Sequence, residues 1–341
     1  MTSRFFVPFS AAALLAAPIL LHAQAPAAKP AAKPAPKRAW TTPRTSGGHP
    51  DLQGIWTNAT ITRMERLPEF NGKLDLTDAE AAAFEAKDHQ DSEEEPGKDG
   101  VILGGVRFSG ANAGYNALFI DRGNELARVD GKKRSSLIID PSDGKVPPRV
   151  PGSGGRFGRG GAAPGGPANV KNRPISERCI LGFGSTSGPP MLPVLYNNNY
   201  QIVETPNTVM IMVEMIHDVR VVRIGGTHKP PEIRQWLGDS IGHWEGDTLV
   251  VDTTNFSGQA GFYGSGQNLH IIERFQRVDQ NTILYRVTLD DPSTWTKPWT
   301  MEYPFVAAKG PIYEYACHEG NYAMEDILGG ASKQDSGPTR R

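Results

Sequence analysis

The chain has 341 residues, of which 36 are Lys or Arg and 37 are Asp or Glu, so its formal net charge is −1. This balance, without a basic run interleaved with aromatic residues, argues against a nucleic-acid-binding surface. About 290 residues follow the N-terminal segments, enough for one large domain or two small ones.

The first element is an N-terminal segment with the form of a secretory signal peptide. Arg4 precedes a long apolar run that ends in small residues near Ala23. Pro8 and Pro18 interrupt this run, which falls short of the roughly 20 uninterrupted apolar residues that a membrane span needs. We predict a signal peptide over residues 1–23, a periplasmic or secreted location, and no stable membrane insertion after cleavage. An uncleaved anchor is the alternative.

The next boundaries follow changes in composition. Residues 24–48 are rich in Ala, Pro and Lys and predict a solvated linker. A single β-rich domain is predicted over residues 49–330, interrupted by a mobile Gly/Arg-rich insertion at 151–168. Residues 331–341 are predicted to form a disordered tail.

One helix is predicted near the start of this domain. Thr77 has the character of an N-cap and Glu80 stands at the capping-box position, so we expect a helix from Asp78 to about Lys87. The charged stretch Asp88–Gly100 is interpreted as a loop.

The C-terminal half carries the pattern of β-strands. Short runs of Val, Ile, Thr, Tyr and Trp end in polar turns at Glu245–Asp247, Asp279–Asn281 and Asp290–Pro292. Strand runs spaced by roughly 8–12 residues indicate an antiparallel barrel or sandwich. Gly54-Ile55-Trp56 is similar to the start of lipocalin-like barrels. We predict an all-β fold, namely an antiparallel lipocalin-like (calycin-type) barrel or a related sandwich with one short N-terminal helix.

The chain has two cysteines, Cys179 and Cys317. In an oxidising compartment an even number favours a disulfide, and only one pairing exists. A nucleophilic thiol at Cys317, beside His318 and Glu319, and two buried free cysteines are the alternatives.

None of the familiar local catalytic motifs is present, so candidate residues come from polar groups inside predicted strands. Glu214, His217 and Arg220 interrupt an apolar strand, where a polar side chain must be satisfied or useful. His217 is predicted to transfer protons, with Glu214 or Glu319 as its orienting partner and Arg220 or Arg234 as the anion stabiliser. His318 is a further predicted catalytic residue. An ion-pair network that only closes the barrel is the alternative.

Two further sets of residues are candidates. Arg234, Trp236 and Asp239, in a segment interpreted as a strand, and Tyr315 are predicted ligand-binding residues, because flat rings stack on small organic ligands. His217, His270 and His318 could converge on zinc, but their spacing is not a local metal motif. We therefore predict neither a metal nor a cofactor.

Seven segments give the chain a resemblance to a large family of exported, mostly uncharacterised bacterial proteins. They are PDLQGIW at 50–56, GPPMLP at 188–193, YNNNYQI at 196–202, MIHDVR at 215–220, RQWLGDS at 234–240, WEGDTLVV at 244–251 and YEYACHEGNY at 313–322. The resemblance extends over almost all of residues 49–329 except the insertion. It implies an exported, β-rich domain and assigns no activity.

Together these features predict an exported enzyme that acts on a small aromatic or glycosidic molecule by metal-free acid–base catalysis in a barrel pocket. A non-catalytic, lipocalin-like periplasmic binding protein, with Trp236 and Tyr315 as stacking surfaces, is the alternative. A structural component of the cell envelope is a third interpretation. The sequence does not indicate an oligomeric state.

Overall fold

Nine strands close into a barrel in the computed structural model. The structure describes residues 40–93, 101–103, 106–108, 121–153, 169–182, 188–259 and 262–335. In spatial order the barrel strands are β1 (Gly54–Thr57), β8 (Asn199–Thr205), β9 (Thr208–Val213), β10 (Val219–Ile224), β11 (Asp239–Glu245), β12 (Thr248–Thr254), β13 (His270–Asp279), β14 (Thr282–Asp290) and β15 (Trp299–Ala307). Pairing of β15 with β1, at Ala307 and Trp56, closes the ring. The prediction of an all-β barrel is confirmed.

The barrel is mixed, which differs from the antiparallel arrangement that we predicted. β10 and β11 run parallel, with Val222 opposite Ser240, while the other barrel pairs are antiparallel. A parallel pair requires a crossover, which residues 225–238 supply. This segment contains Pro230 and Pro231, which cannot donate to a strand ladder.

Alternating side chains explain why these segments form strands. In β13 and β14 every second residue is buried through most of the strand, and the buried positions are mainly large apolar residues. Two-residue turns at Gly246-Asp247 and Gln280-Asn281 join neighbouring strands, at turn clusters identified in the sequence. Gly246 has φ +59°, a left-handed conformation that glycine adopts without steric cost.

Two helices and several short strands lie outside the barrel ring. The helices are α1 (Asp78–Glu93) and α2 (Tyr322–Asp335), and the outer strands are β2 (Asp75–Leu76), β3 (Val101–Leu103), β4 (Val106–Phe108), β5 (Arg128–Val129), β6 (Lys132–Arg134) and β7 (Ile138–Asp140). Strands β2, β6 and β5 form a small sheet, β3 pairs with β4, and β7 adds to β15. Among the described residues, neither helix is long and apolar enough to cross a membrane.

Helix α1 begins where the capping box predicted. Thr77 N donates to Glu80 Oε2 over 2.9 Å, and Glu80 N donates to Thr77 Oγ1 over 3.2 Å. The helix continues to Glu93, beyond the predicted end near Lys87 and into the stretch interpreted as a loop. The first proline after Thr77 is Pro96, so no residue up to Glu93 breaks the backbone hydrogen-bond pattern.

The structure describes a part of each predicted flexible end. Near the end of the predicted linker, Arg44 forms an isolated β-bridge with Pro50 and an ion pair with Asp247. This part of the chain therefore lies against the barrel. Helix α2 extends to Asp335, into the predicted tail. The predicted signal peptide, the first part of the predicted linker and most of the predicted Gly/Arg-rich insertion lie outside the described residues.

The predicted disulfide is present. Cys179 and Cys317 are bonded, with their Cα atoms 5.8 Å apart and a sequence separation of 138 positions. The bond joins the loop before β8 to the segment that follows β15, so it closes the part of the chain that contains β8 to β15 into one covalent loop. All described residues belong to one compact unit, Trp40–Arg341.

Candidate functional site

The outer wall of the barrel carries a cluster of histidine and aspartate side chains. Asp239 begins β11, Asp252 lies in β12 and His270 begins β13. Asp252 stands between Val251 and Thr253, both buried, so the alternation of the strand turns its carboxylate outward. Three adjacent strands therefore present polar groups on one outer surface.

His270 and Asp252 form a hydrogen-bonded pair at this surface. His270 Nε2 lies 2.9 Å from Asp252 Oδ1, and the two side chains are 41% and 33% exposed. The hydrogen bond to Asp252 raises the pKa of His270 above its ordinary value, against the opposing effect of burial. Burial raises the pKa of Asp252, but the hydrogen bonds from His270 and His228 together lower it by a larger amount. The net shift of the pKa is therefore downward.

A second histidine, His228, connects this pair to a buried carboxylate. His228 Nε2 lies 3.1 Å from Asp252 Oδ1, and its Nδ1 lies 3.0 Å from Asp239 Oδ2. Asp239 is almost completely buried, yet Arg223 binds both of its oxygens over 2.7 and 3.1 Å. The hydrogen bond from Arg223 holds the pKa of Asp239 well below its usual range, with smaller contributions from Lys229 N and His228.

The crossover segment is fixed to the barrel beside His228. Lys229 N donates to Asp239 Oδ2 over 3.0 Å. Asn255 Nδ2 donates to the carbonyl oxygens of Lys229 and Pro230 over 2.9 and 3.3 Å. These contacts hold a loop residue, His228, against two strands. We call His228, Asp239, Asp252 and His270 the histidine cluster.

The hydrogen bonds determine which ring nitrogens carry protons. Because Asp239 is ionised, His228 Nδ1 must donate to it, and Nε2 can donate to Asp252 only when the ring is charged. His270 Nε2 donates to the same carboxylate, which leaves Nδ1 without a partner among the described residues. His270 can therefore exchange a proton with solvent or a bound molecule through Nδ1.

The structure does not join His217, Glu214 and Arg220 by side-chain hydrogen bonds or ion pairs among the described residues. His217 lies in the short 3-10 turn Met215–His217 between β9 and β10, and its side chain is exposed. Glu214 is buried, and its Oε2 accepts hydrogen bonds from N and Nδ2 of Asn199. Glu214 therefore fixes Asn199, the first residue of β8.

Arg220 is buried inside the barrel. Its guanidinium binds both oxygens of Glu273, and Tyr285 Oη donates to Glu273 Oε1 over 2.8 Å. Neighbouring aromatic rings, whose centroids lie 5.0 to 6.1 Å apart, occupy this interior: Tyr200, Phe275, Tyr285, Tyr303 and Phe305. Arg220 is enclosed by this packed core and is not exposed to a ligand.

The remaining predicted residues are spread over two loops. His318 and Glu319 are exposed in the turn that carries Cys317, while Tyr315 is half-buried and packs against the core. Arg234 and Trp236 lie in the crossover loop and not in the predicted strand, which starts only at Asp239. Of the predicted ligand-binding residues, Asp239 lies in the histidine cluster.

The sequence interpretation missed His228 and Asp252 as site residues. A signal existed for Asp252, because a charge inside the apolar run at 249–253 is as unusual as Glu214 in its strand. His228 lies in a loop without periodicity, and only the crossover brings it to the barrel wall. Within the described residues, no group of three or more His, Cys, Asp or Glu side chains is placed to hold a metal ion.

A surface groove of about 580 Å³ lies elsewhere, between α1 and the β5–β6 hairpin. The buried ammonium of Lys133 donates there to Glu85 and Glu125 over 2.6 and 2.7 Å. Burial lowers the pKa of Lys133, but these two carboxylates together raise it by a larger amount. The net shift of the pKa is therefore upward. The charged groups of the groove thus satisfy one another, and the histidine cluster remains the candidate site.

Glu204, in β8, is a titratable group at a different place on the barrel. Its Oε1 accepts a hydrogen bond from Leu52 N over 2.5 Å. Burial raises the pKa of Glu204 from 4.5 to about 7, and the nearby charge of Asp51 adds to this effect. The folded protein therefore binds this proton more tightly than the unfolded chain does.

This shift predicts that Glu204 makes stability depend on pH. The stabilisation that the proton on Glu204 gives the folded protein is complete below pH 4.5 and is lost as the pH rises through about 7. Glu204→Gln keeps an acceptor for Leu52 N but does not titrate, so at pH 8 the variant should be more stable by about 1–2 kcal/mol, after allowance for partial solvent access. Urea unfolding of both proteins from pH 4 to 8 measures the difference. A difference that does not change with pH would contradict this assignment.

Compared with known proteins, the chain matches no protein-family model, no curated protein and no solved structure.

Proposed function

We propose that the protein is an exported enzyme that acts on a small organic molecule by general acid–base catalysis at the histidine cluster. The observation that carries the proposal is the His270–Asp252 pair, in which one ring nitrogen binds the carboxylate and the other faces away from it. A carboxylate that orients an imidazole in this way fixes its tautomer and stabilises its charged form. His270 is then the proton-transfer residue and Asp252 its orienting partner.

Arg234 is the residue that we propose to bind an anionic group of the substrate. Its Nη1 donates to the carbonyl oxygens of Phe256 and Gln267 over 3.2 and 2.8 Å, and Gln267 is three residues before His270. The side chain is exposed, so its other donors face solvent. Arg220, the other predicted anion stabiliser, is already paired with Glu273 inside the barrel.

The substrate class remains the one proposed from the sequence, a small aromatic or glycosidic molecule. Trp236, half-buried in the crossover loop between Arg234 and Asp239, supplies a flat ring in this segment. Export is supported by the apolar N-terminal run and by the disulfide, because disulfides persist in oxidising compartments. The same surface could instead bind a ligand without turning it over, which is the competing proposal.

Assays of the native protein with chromogenic substrates test the proposal. The panel contains p-nitrophenyl acetate, p-nitrophenyl phosphate and p-nitrophenyl glycosides, which offer an aromatic group with three types of scissile bond. We expect turnover above buffer for at least one class, and a pH profile with a limb that reports a histidine. Calorimetric binding of p-nitrophenyl compounds without turnover would favour the binding protein and contradict the enzyme. Neither binding nor turnover would contradict both.

A further inference from the structure

We propose that Asp252 couples the two histidines of the cluster, so that His228 is a positioning residue that sets the proton affinity of His270. This inference concerns the regulation of the proposed site, and its consequence for turnover rests on the proposed function. The coupling itself is a property of the folded protein and can be measured without a substrate.

The geometry requires the two rings to share one acceptor. Nε2 of His228 and Nε2 of His270 lie 3.1 and 2.9 Å from the same atom, Asp252 Oδ1. A carboxylate oxygen has two lone pairs, so both donors fit at once. Because both nitrogens touch one oxygen, they lie within about 6 Å of each other, close enough for two positive charges to repel. Protons then bind to a coupled pair and not to two independent sites.

Charged groups on several elements face the two rings. His228 lies between Asp239 on β11 and Asp252 on β12. Arg223 on β10 and Lys229 in the crossover also face Asp239, so they offset part of its charge. His270 faces Asp252 and, from β14, the negative charge of Asp290.

The contacts divide Asp252 Oδ1 between the two rings. The contact of His228 Nδ1 with Asp239 holds the His228 ring in place, so that its Nε2 faces the oxygen that His270 Nε2 also contacts. An oxygen that accepts from two donors is a weaker acceptor for each of them. Removal of His228 should allow Asp252 to act on His270 alone.

The test is the titration midpoint of His270 in His228→Asn, followed by NMR of the imidazole Cε1–H resonance. Assignment uses the signal that disappears in His270→Asn, since the chain has 8 histidines. We expect the midpoint to rise by roughly 0.5–1 pH unit, about a three- to tenfold higher proton affinity. His243→Asn is the matched control: His243 lies on β11 and binds Glu245 over 3.1 Å, so the midpoint should not move.

An unchanged or lower midpoint in folded His228→Asn would overturn the coupling. If this variant does not fold, His228→Ala, which also removes the contact with Asp252, provides the same comparison. The outcome is separate from that of the enzyme proposal: a chain without turnover could still show the shift, and an active chain could lack it.

Discussion

Replacement of Glu273 by glutamine should destabilise the protein by about 3–5 kcal/mol, the largest stability effect that we expect from a single conservative change. The side chains of Glu273 and Arg220 are 0% and 2% exposed, and they form a two-point ion pair inside the barrel. Glutamine has nearly the same volume, so the loss comes from an uncompensated buried guanidinium charge and not from a cavity. Equilibrium unfolding in urea at pH 7 measures the change.

Two further variants separate this explanation from general damage to the barrel. Glu245→Gln breaks an ion pair with Arg274, in which the side chains of Glu245 and Arg274 are 48% and 38% exposed. This variant should leave the free energy of unfolding nearly unchanged. The double variant Arg220→Met/Glu273→Leu removes both charges and should recover most of the lost stability. Tyr285 would then lack its acceptor, which costs about 1 kcal/mol or more. A double variant no more stable than Glu273→Gln would refute the unpaired-charge explanation.

The second large effect concerns activity. His270→Asn should lower turnover of whichever chromogenic substrate is active by roughly 10²–10⁴-fold, the usual contribution of a general acid or base. Asparagine keeps a polar side chain but cannot exchange a proton near neutral pH. Since His270 lies on the outer wall with 41% of its side chain exposed, the barrel should remain folded. Circular dichroism and the urea midpoint would check this.

Much of the scaffold could be predicted from local patterns. The alternation along β13 and β14, the polar turns between strands and the capping box at Thr77 each depend on residues close in sequence. The pairing of Cys179 with Cys317 follows because no other cysteine is present. The parallel pair β10–β11 could not be predicted, because strand order depends on contacts between distant segments.

The candidate site was harder to predict for the same reason. Asp252 and His270 are neighbours only through the register of β12 with β13, and His228 reaches them from a loop. Arg220 and Glu214 looked functional because charges interrupt an apolar strand, but burial made them structural partners of Glu273 and Asn199. The sequence shows that a buried charge needs a partner and does not show which residue supplies it.

A comparison of His270→Asn with His243→Asn tests most directly whether His270 transfers protons at the barrel wall. Both histidines lie on barrel strands with side chains open to solvent, His243 exposed and His270 half-buried, and each binds one carboxylate. Only His270 belongs to the histidine cluster. Turnover would be measured at pH 7 with the same substrate and with equal amounts of folded protein. We predict that His243→Asn keeps native turnover while His270→Asn loses at least 100-fold, the lower limit for loss of a general acid or base. Native turnover in folded His270→Asn would contradict the claim.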